Sequence, residues 1–291
     1  MKRNNWFTKV ASVTLMASVA LISSCNDDER LTMKDTQDIT EETLTDTYFQ
    51  DLDDMAGVAV NAPSDTDYNG GRKSTTITIQ DDRFGCAGVV VTLDATGTID
   101  NPQGTITVDF GTLGCTDLRG NIRKGQLIFT YHGKRFLPGS TVVTTTNNYY
   151  VNGVKLEGTR TSTNVTNSST DAPKFNVVLE NGKATFDDNT TATRDSDITW
   201  SWIREANPTQ DQLVIESGSW AEGTTRNGRD YEVSVLEDLI YKRGCFMAVD
   251  GVKKYIIDGA KEIVINYGDG DCDQSVMVTV NGVTRNLTVG Q

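Results

Sequence analysis

From Ser74 to the end of the chain, apolar and polar side chains alternate one residue at a time. Ile77 and Ile79 alternate with threonines, and Ile106, Val108 and Phe110 alternate with Thr105, Thr107 and Asp109. Leu127, Phe129 and Tyr131 repeat the pattern, as do Tyr231, Val233 and Val235, then Ile263, Ile265 and Tyr267, then Val276, Val278 and Val280. Successive side chains of a strand point to opposite faces, so a period of two gives one buried face and one wet face, the habit of antiparallel sheets. Five dipeptides punctuate these runs: Asn152-Gly153, Asn181-Gly182, Asn227-Gly228, Asp250-Gly251 and Asn281-Gly282. Such pairs tolerate the positive φ of two-residue hairpin turns. The expected body, residues 74–291, is all-β: an elongated antiparallel hairpin meander, as a curved sheet or a sandwich. Hairpins alone do not fix closure, so an open barrel satisfies the pattern too.

Ahead of the body the period changes. Ile39, Leu44, Tyr48, Leu52 and Met55 recur at mostly three- and four-residue steps with acids between them, which predicts a short N-terminal helix over residues 40–57. Residues 63–71, with Pro63 and Asn69-Gly70-Gly71, read as a linker. The threonine-rich stretch 140–170 is interrupted by Val142, Tyr149, Val151, Val154 and Leu156, so long hairpin strands are expected there, with a mobile loop over 164–171.

The first residues carry Lys2, Arg3 and Lys9, then a mostly apolar run from Val10 to Ile22, ending in Ile22-Ser23-Ser24-Cys25. That is the layout of a signal peptide, residues 1–24. The run is short for a membrane span of ~20 apolar residues. Ile-Ser-Ser-Cys resembles a bacterial lipobox, which implies lipidation of Cys25, an anchored segment 25–73 and a membrane as partner. Asn26-Asp27-Asp28-Glu29 resembles the acidic export signal of surface lipoproteins, which implies the outer membrane, facing the medium; the plain alternative is a solvated acidic tether. Removing residues 1–24 leaves 24 basic against 40 acidic residues, a formal charge of −16. Such a surface repels phosphates, so no nucleic-acid partner is expected.

With Cys25 set aside, Cys86, Cys115, Cys245 and Cys272 remain, an even set suited to disulfides in an oxidising compartment. An internal echo suggests the pairing. Gly85-Cys86 precedes a strand ending in Phe110-Gly111, then Cys115; Gly244-Cys245 precedes one ending in Tyr267-Gly268, then Cys272. In both frames the second cysteine comes four residues after the glycine, so Cys86–Cys115 and Cys245–Cys272 are expected. Each would close a loop worth roughly 3.5 kcal/mol of chain entropy.

Three segments also carry a family resemblance: residues 104–111 with Cys115; Tyr149-Tyr150-Val151-Asn152-Gly153 with Glu157-Gly158-Thr159; and Tyr267-Gly268-Asp269-Gly270-Asp271-Cys272-Asp273. They resemble a family of outer-membrane lipoproteins of Bacteroidetes-type bacteria, over about residue 74 to the end. The resemblance implies an elongated antiparallel body on a lipid anchor. It brings no established activity and no catalytic residues.

Chemistry-bearing residues are sparse. The single histidine, His132, lies on the wet side of its strand, and no G-x-S-x-G elbow accompanies it. Asp269, Asp271 and Asp273 form a D-x-D-x-D run, but Gln274 and Val280 occupy the positions where a calcium loop needs glycine and glutamate. No cofactor is expected, with a looser Ca²⁺-stabilised turn as the alternative. Trp200 and Trp202 share one strand face with Ile198, and either stack on sugar rings as a ligand platform or fill the core. A glycosidase needs two opposed carboxylates, and forty acids make some such pair inevitable. The expected function is a non-catalytic binding module for a glycan or other extracellular ligand. The alternatives are an accessory partner of an outer-membrane protein complex and, behind both, a carboxylate-dependent hydrolase.

Overall fold

The computed structural model describes residues 30–68, 73–245 and 247–288. Cys25, the signal peptide and the acidic run behind it lie outside the described residues. Among the described residues the chain is all-β with one N-terminal α-helix, α1 (Met33–Ala59), and its strands pair antiparallel. It divides into two compact units. A central unit holds residues 48–193, and a terminal unit holds the chain up to Thr47 and from Arg194 on. The division falls inside α1.

α1 begins earlier than its apolar spacing predicts. Thr32 Oγ1 accepts from the Asp35 backbone N–H at 3.2 Å while the Asp35 carboxylate accepts from the Thr32 N–H at 2.8 Å. This reciprocal cap satisfies two amides that a helix start otherwise leaves orphaned. The turns ahead of residue 40 escape the apolar spacing because buried positions there are polar: Asp35 and Asp38 are each at most 2% exposed, as are Glu42 and Thr45 further along. At the other end Asn61 donates from Nδ2 to the Gly57 carbonyl at 2.6 Å, and Pro63 follows.

The central unit contains β1 (Lys73–Thr76), β2 (Val90–Ala95), β3 (Gln103–Asp109), β4 (Cys115–Thr116), β5 (Ile122–His132), β6 (Thr141–Val151), β7 (Val154–Asn164) and β8 (Lys174–Thr185). They run in the order β1-β2-β3-β5-β6-β7-β8, with β4 on β5. Leu93, Ile106, Val108, Leu127, Phe129 and Leu156 are fully buried and pack with Phe49, Leu52, Met55, Ala56 and Ala59 of α1. Threonines take the opposite face in register, as in Thr76↔Thr92, Thr92↔Thr107, Thr105↔Thr130 and Thr145↔Thr159. The threonine-rich stretch is therefore mostly strand, with many of its hydroxyls on the wet side, although Thr144 and Ser162 are buried. The foot of the loop after β7 is tied: Asn164, 1% exposed, donates to the Arg135 carbonyl and accepts from the Thr166 N–H. The linker is also docked in part, with the Tyr68 hydroxyl 2.7 Å from that of Tyr131.

The terminal unit takes β9 (Thr191–Ile203) from Arg194, then β10 (Gln212–Ile215), β11 (Trp220–Thr224), β12 (Asp230–Lys242), β13 (Asp250–Ile257), β14 (Lys261–Asp269), β15 (Ser275–Val280) and β16 (Val283–Thr288). β10 and β11 share the slot between β9 and β12, and β13 to β16 continue as a meander. Tyr231, Val233, Tyr255, Ile257, Ile263, Ile265, Val276, Val278 and Val280 form its core with Ile39 of α1.

The five turn signals part company here. Asn152-Gly153 and Asn281-Gly282 make tight hairpins with both φ values positive. Asn227-Gly228 closes a wider turn, in which Thr225 donates its N–H to the Arg229 carbonyl and Gly228 has φ +75°. Asn181-Gly182 and Asp250-Gly251 are not hairpin turns; they lie inside β8 and β13, at register shifts opposite β7 and β14. Positive φ is what a bulge needs as much as a turn does. At Gly251 (φ +101°) the Asp238 carbonyl comes so near that any Cβ would stand 2.2 Å from its oxygen.

Candidate binding surface

The cysteines pair as the internal echo implies. Cys86 lies ahead of β2 and Cys115 follows β3, with Cα atoms 5.8 Å apart; Cys245 lies ahead of β13 and Cys272 follows β14, 5.5 Å apart. Val90 faces Asp109 in the first hairpin and Asp250 faces Asp269 in the second. Each disulfide thus ties the open end of a two-stranded hairpin. The residues at the end of each hairpin's second strand match as well. The Gly111 N–H (φ +75°) donates to Asp109 Oδ1 at 2.8 Å, and the Gly268 N–H (φ +98°) donates to Asn266 Oδ1 at 2.9 Å. An Asx side chain mimics a backbone turn this way, and the glycine supplies the positive φ that sends the chain toward its cysteine.

That second turn frames an open depression of about 90 Å³, lined by Asp269, Asp271, Asp273, Asn266, Tyr267 and Met277 among others. The three acids share a rim, but among the described residues no three acidic, histidine or cysteine side chains converge as a metal-ligand group. Protein contacts already hold the turn: Asp273 Oδ1 accepts from the Ser275 N–H, and Lys242 Nζ donates to the Gly270 carbonyl at 2.8 Å. His132 is exposed, between Gln103 and Thr141 on the wet face of the central unit.

Trp200 and Trp202 stand where the alternation of β9 fails. Ala192, Arg194 and Ser196 are buried, but from Asp197 to Trp202 every side chain is half-buried. The pair is therefore neither sealed in the core nor fully out. Opposed residues of antiparallel strands share a face, and Trp200 faces Ile215, which faces Leu239; Trp202 faces Leu213, which faces Tyr241. Leu213, Ile215 and Tyr241 are half-buried too, over the small buried group Val235, Leu239 and Ala248. The result is two parallel rows of aromatic and aliphatic side chains across β9, β10 and β12. Trp202 is fixed in it: its Nε1 donates to Asp211 at 3.3 Å, and the Arg204 guanidinium lies 4.1 Å from its ring centroid. Trp220 is 40% exposed and faces Asp197 rather than either tryptophan.

Beside these rows lies a polar cluster that sequence reasoning missed. Lys253 Nζ is 3.7 Å from Glu42 Oε2 and 4.9 Å from the Tyr255 ring centroid, while Arg194 reaches Glu42 and, at 3.0 Å, Asp46. Burial pushes the Glu42 carboxyl up, yet Lys253 and Arg194 outweigh it and hold it below its ordinary value. Burial first, then the neighbouring Tyr267, pushes the Tyr241 hydroxyl upward, so it stays a neutral donor at any physiological pH. The acids at 35, 38, 42 and 46 do recur at helical steps, and that spacing was the one available signal.

Comparison with protein-family models, with curated proteins and with solved structures finds no match to this chain.

Proposed function

We propose that the chain is a lipid-anchored cell-envelope lipoprotein of the outer membrane whose body is a non-catalytic binding module for a glycan or similar extracellular ligand. The observation that carries the binding reading is the half-buried pair Trp200 and Trp202 in register with Leu213, Ile215 and Tyr241. Indole faces stack on the apolar faces of sugar rings, and the exposed Arg204 at the rim suits hydroxyls. Anchoring is supported by the lipobox-like run at Cys25. Trp200→Ala should abolish retention of the protein on immobilised polysaccharide while leaving its melting temperature within a few degrees. A large drop in melting temperature with retention unchanged would assign the tryptophan to the core instead. Labelled palmitate incorporated into the native chain, and absent from Cys25→Ala, tests the anchor separately.

The accessory reading has one observation of its own. Among the described residues β16 pairs with β15 only, and its side chains are exposed or half-buried, which leaves a strand edge of the kind that accepts another strand.

A further inference from the structure

Three large aliphatic side chains stand out from the central unit within one short stretch: Leu113 is 97% exposed, Leu118 71% and Ile122 55%. Scattered exposed leucines are ordinary, but three within ten residues on one loop are not. We propose that this loop, residues 111–122, is a membrane-contacting tip whose aliphatic side chains enter the interfacial layer of a lipid bilayer.

The loop is built rather than slack. Gly111 and Gly114, with φ +75° and +83°, turn the chain on either side of Leu113, and Cys115 at its foot is bonded to Cys86. Leu118 sits in the Asp117–Gly120 turn, where the Gly120 N–H donates to the Asp117 carbonyl, and its own N–H donates to the Asp82 carbonyl at 3.1 Å. Ile122 pairs with Thr116, and its N–H donates to Asn152 Oδ1 at 2.9 Å. The side chains are therefore displayed without an ordering cost at the moment of contact.

Charge favours lipid as the occupant. The chain is strongly acidic, yet the two charged groups of this loop face inward: Asp117 is 4% exposed and accepts from Arg123 Nε at 2.8 Å, and Arg119 lies 3.6 Å from the buried Asp81. The outward groups are aliphatic, threonine, glycine and asparagine; the nearest exposed acid joined to the loop is Asp82. The choice of a bilayer over a protein partner rests on the anchored reading. Four residues lie between Cys25 and Arg30, five steps spanning at most about 17 Å of extended chain, so an anchored chain keeps its folded body at the bilayer surface. Entry of leucine and isoleucine side chains there follows the same physics as the apolar face of an interfacial helix.

The test uses residues 26–291, which hold every described residue and no lipid, mixed with phosphatidylcholine vesicles and floated on a density gradient. The native sequence should co-float, and Leu113→Asp with Leu118→Asp should lower the bound fraction at least tenfold at unchanged melting temperature. A Leu113→Trp variant should gain tryptophan fluorescence quenchable by brominated lipid in the same vesicles. Equal flotation of the native and double-aspartate chains, or no flotation and no quenching, overturns the tip. Since this chain carries no lipid, palmitate labelling of Cys25 can fail while the tip stands, and the reverse.

Discussion

In the central unit the buried apolar positions of α1 are Phe49, Leu52, Met55, Ala56 and Ala59, which join the apolar core, and one buried acid, Asp53, stands beside them 3.9 Å from Arg160. In the terminal unit the buried positions are Asp35, Asp38, Glu42 and Thr45, with Ile39 contributing to the core there. Sheet cations answer those acids. Lys261 Nζ meets Asp35, Arg229 meets Asp38 at 2.6 Å and Asp258 at 2.7 Å, and Arg194 and Lys253 meet Glu42. The central unit has ion pairs too, with Arg83 on Asp81 and Arg123 on Asp51, Asp117 and the Tyr149 hydroxyl, but there they surround an apolar seat. One helix is thus docked by area at one end and by charge at the other. Area burial is non-directional, while paired charges demand particular partners. A buried pair adds little net stability, because desolvation offsets the attraction, but losing one partner is costly.

The largest expected effect tests the apolar end. Phe49→Ala should cost about 4 kcal/mol in chemical denaturation, since it removes a ring that is 1% exposed and leaves a cavity. Glu42→Gln comes next, at about 3 kcal/mol, because Arg194 and Lys253 lose their anionic partner. Adding Lys253→Met to that variant should recover part of the loss. If Glu42→Gln cost under ~1 kcal/mol, the pair would be behaving as a surface salt bridge, and the contrast between the two ends would collapse.

Acidity should sharpen the same contrast. Burial pushes the Asp54 carboxyl up to about 8, with Arg83 opposing and Asp53 and Asp51 adding to the rise. An unfolded aspartate titrates near ~4. Between those values the folded chain holds a proton the unfolded one has lost, so the stability Asp54 contributes is full below pH ~4 and falls as pH rises toward 8. Asp54→Asn should flatten that decline, with a higher melting temperature than the native chain at pH 8 and none gained at pH 4. The smallest effect is at the cap. Thr32→Ala removes the hydroxyl that accepts from the Asp35 N–H and should cost about 1 kcal/mol, read from the thermal midpoint.

What was legible in the chain follows from which interactions are local. Alternation along Ile106-Thr107-Val108 reports a strand because the two-residue period is a property of the backbone itself. The matching cysteine frames reported both disulfides because each spans one hairpin, 29 and 27 residues apart. The first turns of α1 are not legible, since Asp35 and Asp38 look solvated until Lys261 and Arg229 arrive from far along the chain, and the burial of Glu42 likewise waits on Arg194 and Lys253. Trp200 and Trp202 were legible as a pair but not as half-buried, because exposure at the end of β9 depends on β10 and β12 beside it.

The sequence alone determined the all-β class, the helix ahead of it and the cysteine pairing, each written in short-range spacing. Tertiary structure decided whether Asn-Gly and Asp-Gly became turns or bulges. Asn152-Gly153 joins two strands and Asn181-Gly182 lies within one, although both asparagines take a similar positive φ, 51° and 54°. Local propensity states what a backbone is able to do. Only the register of the neighbouring strand selects which of those things it does.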